Sequence, residues 1–211
     1  GTLAVGLEIL RGCANGKVLV CGEGLSFWGG VDPDTGLIID THHPNHGDSV
    51  SGKCLLMPTS RGSCSGSGIL LQLALNKRAP AMIIFNEPEQ VLTLGSIVCD
   101  RIFGVPIPII CLSQQNYHTV AREKSVELRD RKLVLASQTI DLDLISKAKL
   151  VLSETDHAYL EGDHGNVAKA AMETICVMGA VENASSLINV DKGHIDGCIL
   201  AHDANLIFAE K

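Results

Sequence analysis

The feature that most constrains the fold is an alternation of short apolar runs with segments of helical periodicity. Apolar runs at 53–57, 81–85 and 107–112 are separated by amphipathic segments at 67–77 and 90–102. Strand, helix and strand in this order are typical of parallel pairing. Because the preceding residues are richer in strands and turns, the sequence predicts an α/β chain with a layered β/β/α domain rather than a doubly wound sheet.

An Asn15-Gly16 step lies between two further strand-like segments, at 4–11 and 17–22, and indicates a hairpin turn. The other predicted elements are a strand at 37–40, a hairpin over 126–137 turning at Asp130-Arg131, a helix starting at 153–156, a helix over 166–178, a strand over 187–190 and a short helix over 204–209. Since the character of the sequence changes after the predicted hairpin, we expect one domain at 1–137 and a different unit at 138–211.

Composition excludes several classes of function. The 211 residues are 45% apolar and 19% charged, as in an ordinary globular protein, and the net charge of −7 argues against a nucleic-acid surface. The eight cysteines form no CxxC pair, which favours buried free thiols in a reducing cytoplasm. No apolar run approaches the roughly 18 residues that span a bilayer. We therefore expect a cytoplasmic protein that contacts neither nucleic acid nor membrane.

The strongest candidate for a chemical site is the Gly/Ser-rich segment between the apolar run at 53–57 and the helix that follows. A helix N-terminus presents backbone N–H groups to an anion, and Arg61 adds a planar fork suited to a carboxylate or a phosphate. Ser63 and its neighbouring hydroxyls could act on whatever the anion is attached to. The alternative interpretation is a helix cap without chemistry. The segment matches neither a phosphate-binding P-loop nor a nucleophile elbow.

Two other loops contain side chains with alternative interpretations. His42 and His43 precede a proline, and because adjacent side chains do not easily ligate one metal, they form either a surface turn or a substrate-facing pair. Trp28 in a Phe-Trp-Gly-Gly segment is either a plug of the core or an apolar wall for a ligand.

A second cluster of polar side chains lies in glycine-flanked loops of the later part of the chain. Glu161, Asp163 and His164 form one loop, and His194 and Asp196 form another. Carboxylates and imidazoles in such loops suit acid–base or metal-supporting chemistry, although purely structural loops would look the same.

Several motifs together resemble those of one family. Residues 4–113 contain Leu-Ser-Phe-Trp-Gly-Gly-Val-Asp-Pro, Ser-Arg-Gly-Ser-Cys-Ser-Gly-Ser-Gly and Phe-Gly-Val-Pro-Ile-Pro, and closely resemble the small swivelling domain of aconitase X. Residues 155–211, with Leu-Glu-Gly-Asp-His-Gly and His-Ile-Asp-Gly-Cys, look like the opening of that family's large catalytic part. The resemblance implies a swivelling domain at 1–137, followed at 138–211 by a linker and a mostly helical fragment of a larger α/β domain.

The resemblance also implies an activity. It implies hydro-lyase chemistry at an iron–sulfur cluster held between the swivelling domain and a large α/β body. The family's activities are dehydration of cis-3-hydroxy-L-proline and, in archaea, of mevalonate 5-phosphate, and the motif at 194–197 looks more like the hydroxyproline branch. The cluster ligands are expected outside this chain. The chain therefore looks like a swivelling domain with a severed beginning of the large part, inactive without the remainder of that part or a partner chain.

Roles for individual residues follow from the resemblance. Ser63 is the expected base, with His194 and Asp196 as further catalytic residues on the opposite wall. The expected substrate-binding residues are Arg61, Gly62, Cys64, Ser65, Ser67, Trp28, Gly29, His42, His43, Glu161 and His164. Cys64 and Asp163 depart from the serine and glutamate expected at those positions.

Three other functions are compatible with the sequence. One is a subunit of a mevalonate 5-phosphate dehydratase. Another is a non-catalytic, anion-binding or regulatory module in which the Arg61 loop binds an anion without chemistry. An isomerase of the small-subunit type is the weakest, since nothing beyond the swivelling domain resembles one.

Overall fold

Four parallel strands form the part of the sheet on which the site is built. The structure, a computed structural model, describes residues 13–62, 66–89, 91–144 and 153–162, and three short strands at 188–189, 194–195 and 208–210. The parallel strands, in sheet order, are β1 (Ala14–Val20), β2 (Cys54–Leu56), β3 (Met82–Phe85) and β4 (Ile109–Cys111). Nearly every side chain of β2, β3 and β4 is buried, as expected for parallel strands covered on both faces.

Helices connect the parallel strands as the sequence predicted. Helix α1 (Gly66–Leu75) joins β2 to β3, α2 (Val91–Phe103) joins β3 to β4, and α3 (Gln114–Ala121) follows β4. Helix α1 is apolar on almost all sides because it packs against α2 and contributes Leu70 and Leu73 to the main core. The α/β class is therefore confirmed.

Antiparallel strands complete the sheet. Strands β5 (Ser125–Arg129), β6 (Lys132–Val134) and β7 (Thr139–Leu144) form a meander, and β5 also pairs with the beginning of β1. The predicted turn at Asp130-Arg131 is confirmed: both residues have positive φ, 51° and 60°, as a type I′ turn requires. In β5, buried Val126 and Leu128 alternate with more exposed residues, as in a sheet with one solvated face.

The last described strands come from the end of the chain. Strand β10 (Phe208–Glu210) lies between β4 and β7 and closes the sheet into a barrel. Helix α4 (Glu154–Glu161) begins where the sequence predicts a helix start. Strands β8 (Ile188–Asn189) and β9 (His194–Ile195) pair separately with each other. The helix predicted over 166–178 and the strand predicted over 4–11 lie outside the described residues.

The hairpin predicted at Asn15-Gly16 is wrong, because both residues lie inside β1. Asn15 pairs with Glu127 and Gly16 with Val126. A Cβ atom on Gly16 would lie 2.8 Å from the backbone nitrogen of Cys54 and from the carbonyl oxygen of Gly52. The glycine is therefore required for close approach of the neighbouring backbone and not for a turn.

Other differences from the predictions reflect weak local signals. The segment predicted as a strand at 37–40 forms only isolated bridges, Val31 with Ile38 and Leu37 with Ser49. The helix predicted over 204–209 is wrong at its end, where β10 forms, because pairing with β4 and β7 decides the conformation of this short segment. Helix α3 and strand β7 were not predicted; α3 buries only Tyr117 and Val120, too few to give a helical pattern.

None of the described helices is long and apolar enough to cross a membrane.

Buried thiols allow a test of the core. Burial raises the pKa values of Cys21, Cys54 and Cys99 to about 12. Because only the thiolate reacts with iodoacetamide, we expect these three to be alkylated at pH 8 on the order of 10³-fold more slowly than in urea-unfolded protein. Cys13 is exposed and is the internal control. Mass spectrometry of peptides after timed alkylation measures each site, and equal rates at Cys13 and Cys54 would contradict the packing.

The same pKa shifts predict a pH dependence of stability. A thiol pKa that is higher in the folded than in the unfolded chain stabilises the fold while the thiol is neutral. This contribution is fully present below about pH 8.5 and is lost as the pH rises from about 9 towards 12. Urea midpoints should fall over that range, and a Cys54→Ala variant should show a smaller fall.

Candidate functional site

Polar side chains meet where neighbouring parallel strands end. Glu23 follows β1, Arg61 follows β2 and Glu89 follows β3. The carboxyl ends of parallel strands lie at one edge of a sheet, which is where open α/β sheets bind their ligands. The site predicted around Arg61 is therefore at the edge of the sheet suited to binding.

Two backbone segments in direct contact fix the position of Arg61. The backbone N–H of Arg61 donates to the carbonyl oxygen of Leu25 over 3.2 Å. Gly62 has φ +86°, and a Cβ atom there would overlap the Ser26 hydroxyl and lie 2.9 Å from the Ser26 Cβ. Gly24 lies against the other side of the loop, because its Cβ would be 2.9 Å from the Cγ of Arg61. Only glycine permits this contact between residues 24–26 and 59–62.

The guanidinium of Arg61 is accessible and lies beside one carboxylate. Its Nη1 is 3.5 Å from Oε1 of Glu23, and the two side chains are 61% and 44% exposed. Such a long, solvated ion pair contributes little to stability. Since a guanidinium has five N–H donors, this single contact leaves the fork of Arg61 able to bind a second carboxylate in a bidentate manner.

The buried carboxylate of Glu89 ties the Arg61 loop to helix α2. Glu89 is 3% exposed. Its Oε1 accepts hydrogen bonds from the Ser60 hydroxyl (2.5 Å) and the Leu92 N–H (2.8 Å), and its Oε2 accepts one from the Thr93 N–H (2.9 Å). The carboxylate therefore caps the first turn of α2 and holds the residue before Arg61.

Helix α1 begins directly beside these loops. A Cβ on Gly66 would lie 3.6 Å from the Cβ of Phe27 and 3.8 Å from the backbone nitrogen of Trp28. Ser67 is buried where α1 crosses α2, and a Cβ on Gly95 would lie 3.2 Å from its Cα. The N-terminus of α1, the positive end of its dipole, thus lies beside the segment at 24–28 that also contacts the Arg61 loop.

His43 supports the loop that carries Glu23. The ring is 5% exposed; its Nδ1 accepts from the Asn45 N–H (3.0 Å), so the proton is on Nε2, which donates to the carbonyl oxygen of Glu23 (3.1 Å). The Asn45 side chain accepts from the Gly22 N–H (3.0 Å) and donates to the carbonyl oxygen of Val20 (2.9 Å). His43 therefore holds backbone in place, whereas His42 is exposed.

Trp28 is not the core plug that was one of its two interpretations. It is 58% exposed, and its neighbour Phe27 is the buried residue of the pair. Gly29, with φ +74°, follows it at the tip of a turn closed by hydrogen bonds from the N–H groups of Gly30 (3.3 Å) and Val31 (3.2 Å) to the carbonyl oxygen of Phe27. The structure thus presents an exposed indole ring on a turn whose backbone adjoins the start of α1.

The remaining predicted residues lie further along the chain or outside the described part. Glu161 ends α4 and is exposed. His194 begins β9, some of whose Cα atoms come within 8 Å of Cα atoms of α1. The predicted residues that lie outside the described residues are Ser63, Cys64, Ser65, Asp163, His164 and Asp196.

Sequence reasoning missed four residues that shape the site. They are Glu23, Asn45, Ser60 and Glu89. Only Glu89 carried a usable signal, since an acidic residue just before a helix is typical of an N-terminal cap. The others are recognised only when the loops after β1 and β2 are seen together.

A second concave surface lies elsewhere on the barrel and has mixed charge. An open cleft of about 870 Å³ is lined by residues that include Lys17, Arg122 and Lys124, but also Glu123 and Glu127. Its acidic groups offset the basic ones.

Comparisons with known proteins place these loops in a wider context. Residues 4–136 match the family model described as the aconitase X swivel domain, and residues 149–211 match that of the aconitase X first domain. The chain is 40% identical to a cis-3-hydroxy-L-proline dehydratase of Pseudomonas aeruginosa, over 99% of this chain and 37% of that protein. It is 38% identical to one of Hypocrea jecorina, over 97% of this chain and 36% of that protein.

Shorter relatives match the first part of the chain. The small subunit of phosphomevalonate dehydratase from Methanothermobacter thermautotrophicus is 48% identical over 47% of this chain and 72% of that subunit. In the crystal structure of aconitase X from Thermococcus kodakaraensis, the matching chain has a TM-score of 0.47 and 32% identity, over 61% of this chain and 88% of that one. The chain thus spans little more than a third of the length of the two hydroxyproline dehydratases.

The Glu89 network generates a stability prediction. Glu89→Gln replaces one of the two acceptor oxygens by an NH2 group, which cannot accept the hydrogen bonds that Ser60, Leu92 or Thr93 donate to that oxygen, so it should lower the free energy of unfolding by about 1–3 kcal/mol. Urea denaturation followed by circular dichroism measures this. Glu87→Gln, on an exposed residue of the same loop, is the matched control and should stay within about 0.5 kcal/mol. Equal midpoints for the two variants would show that the buried carboxylate does not hold the loop.

Proposed function

Because the chain belongs to the aconitase X family, we propose that it supplies the substrate-holding part of a dehydratase that removes water from cis-3-hydroxy-L-proline. The observation that carries the proposal is the exposed Arg61 guanidinium, held by the Leu25 carbonyl and Gly62 beside the start of α1. Every substrate of this class has a carboxylate next to the carbon that loses a proton. A rigid site for that carboxylate is the first requirement of the reaction.

Arg61 and α1 hold the carboxylate together. The guanidinium offers a bidentate contact, and the positive dipole end of α1 attracts the same anion. Both groups also stabilise negative charge that moves from the α-carbon onto the carboxylate as the proton leaves. The same contacts therefore bind substrate and lower the barrier.

The base that takes the α-proton is Ser63 in this proposal. It directly follows Gly62 in the sequence. A serine hydroxyl is a weak base and must be activated to act in this way. The positive end of α1 and the guanidinium of Arg61 favour the ionised hydroxyl and would provide that activation.

Groups on the later part of the chain complete the proposal. His164, His194 and Asp196 would line the opposite wall and pass the proton to the departing oxygen. The approach of β9 to α1 supports this assignment, because it brings the backbone of His194 to the helix that begins at the carboxylate site.

An iron–sulfur cluster does not fit the described residues of this chain. They contain no group of three or more histidine, cysteine or acidic side chains able to hold a metal ion. Three of their thiols, at Cys21, Cys54 and Cys99, are buried with pKa values of about 12, and neutral thiols are poor ligands. We therefore assign the cluster ligands to residues beyond those described.

The proposal includes a partner. Relatives that match the first part of this chain are named as small subunits, a name that implies a large subunit. We propose that 1–137 is the swivelling domain, whose barrel is completed by β7 and β10, that 138–211 otherwise begins the large catalytic part, and that activity requires the remainder of that part, on the same chain or on another.

Phosphomevalonate dehydration is the second candidate. The 48% identity to a small subunit of that enzyme favours it, but that match covers only 47% of this chain. The match to a hydroxyproline dehydratase continues over 99% of the chain, and the hydroxyproline activity is therefore preferred.

Substitutions in the complete catalytic protein, with the remainder of the large part present, test the proposal. Arg61→Lys keeps the charge but loses the fork, and should lower kcat/KM for cis-3-hydroxy-L-proline by about tenfold. Ser63→Ala should lower kcat by about 10²–10⁴-fold, because it removes the base. Loss of the hydroxyproline signals in proton NMR measures both.

Matched controls are Arg129→Lys and Ser125→Ala. Arg129 forms a similar exposed ion pair with Glu127, at 3.7 Å, on a different part of the barrel, and Ser125 is an exposed serine. Both controls should keep normal turnover. Normal turnover of Ser63→Ala would overturn the assignment of the base. Anion binding without dehydration of either candidate substrate would identify a non-catalytic module instead.

A further inference from the structure

The fold holds Trp28 in solvent at a fixed position. Phe27 and Val31, on either side of the turn, are at most 2% exposed. The Ser26 hydroxyl donates to the carbonyl oxygen of Trp28 over 3.0 Å, and a Cβ on Gly30 would overlap the carbonyl oxygen of Ser26. A tryptophan side chain gains more than most from burial, so a rigid turn that leaves it 58% exposed indicates a binding role.

This turn adjoins the proposed carboxylate site. Ser26 contacts Gly62 on one side and Trp28 on the other. Leu25, one residue earlier, accepts the Arg61 N–H, and the backbone of Trp28 lies next to Gly66 at the start of α1. The residues that carry the guanidinium and the indole are therefore coupled through a single short segment.

The charges around the site fit a ligand that has both signs of charge. A substrate such as cis-3-hydroxy-L-proline carries its ammonium group one carbon from its carboxylate. With the carboxylate on Arg61, the ammonium and the ring methylenes must lie against the neighbouring surface. The carboxylate of Glu23, 3.5 Å from the Arg61 guanidinium and 44% exposed, is an acidic group beside the proposed carboxylate site. Indole is the best aromatic partner for a cation and also covers methylene groups.

We propose that Trp28 determines substrate specificity by covering the ammonium-bearing ring of a cyclic amino acid, an inference that rests on the proposed function. The indole face attracts the ammonium and packs on the ring carbons, while Arg61 holds the carboxylate. The attraction between the indole and the ammonium favours a zwitterionic cyclic amino acid over a cyclic acid of the same shape that lacks the positive charge.

The test compares two inhibitors of equal shape in the complete catalytic protein. L-proline carries the ring ammonium, and (S)-tetrahydrofuran-2-carboxylate has an uncharged oxygen in its place. Trp28→Leu should raise the inhibition constant of L-proline about tenfold, and that of the oxygen analogue only about two- to threefold. Trp28→Phe should lie between wild type and Trp28→Leu for L-proline, because a smaller aromatic face remains.

Two controls isolate the role of the indole. Leu75→Ala removes another strongly exposed apolar side chain, at the far end of α1, and should change neither constant. Glu23→Gln removes the negative charge of the neighbouring carboxylate. In a Glu23→Gln background, Trp28→Leu should still reduce the preference for L-proline over the oxygen analogue. Circular dichroism and size-exclusion chromatography verify that each variant folds and assembles as wild type.

Several outcomes would overturn the inference. Equal weakening of both inhibitors would mean that the indole does not sense charge, and unchanged constants would remove Trp28 from the site. Loss of assembly in Trp28→Leu would show that the indole contacts protein instead of substrate. An active wild-type enzyme with any of these results leaves the proposed dehydratase function standing. A wild type that neither dehydrates cis-3-hydroxy-L-proline nor binds L-proline overturns both.

Discussion

The contact between the loop after β1 and the loop after β2 is the constraint on which the site depends. Ser26 lies against Gly62, and Gly24 lies against the side chain of Arg61. Each contact requires a missing side chain, so the two loops fit only with glycine at these positions. Because β1 and β2 are adjacent and parallel, the sheet brings the loops together, and the glycines let them meet closely enough to fix Arg61.

Two buried polar groups support this contact, one for each loop. His43, with Asn45, fixes the backbone around Glu23, and Glu89 fixes Ser60 next to Arg61. A buried polar group is stable only when its hydrogen bonds are satisfied, so each of these residues defines a single arrangement of its loop. The Arg61 side chain, which is expected to bind substrate, is therefore exposed on a loop whose backbone is fixed by buried hydrogen bonds.

Much of the fold was predictable because the local signals agreed. Apolar runs of strand length alternated with helical periodicity, and this gave β2 to β4 with α1 and α2. The turn at Asp130 and Arg131 was also found. Predictions failed where a distant neighbour decides the structure. Gly16 sits in a strand because β5 and β2 surround it, and β10 forms because it pairs with both β4 and β7. Arg61 was recognisable from its motif, whereas Glu23 was not, since only tertiary structure brings it to the guanidinium.

The central claim is that Arg61 and the start of α1 hold the carboxylate of a small amino acid. Titration of the ¹⁵N-labelled complete catalytic protein with L-proline, followed by NMR, tests it most directly. The account predicts saturable shifts of the amide signals of Gly62, Gly66 and Gly68 and of the Arg61 side-chain Nε–H. Shifts confined to the separate cleft lined by Lys17, Arg122 and Lys124, or none at saturating L-proline, would contradict it.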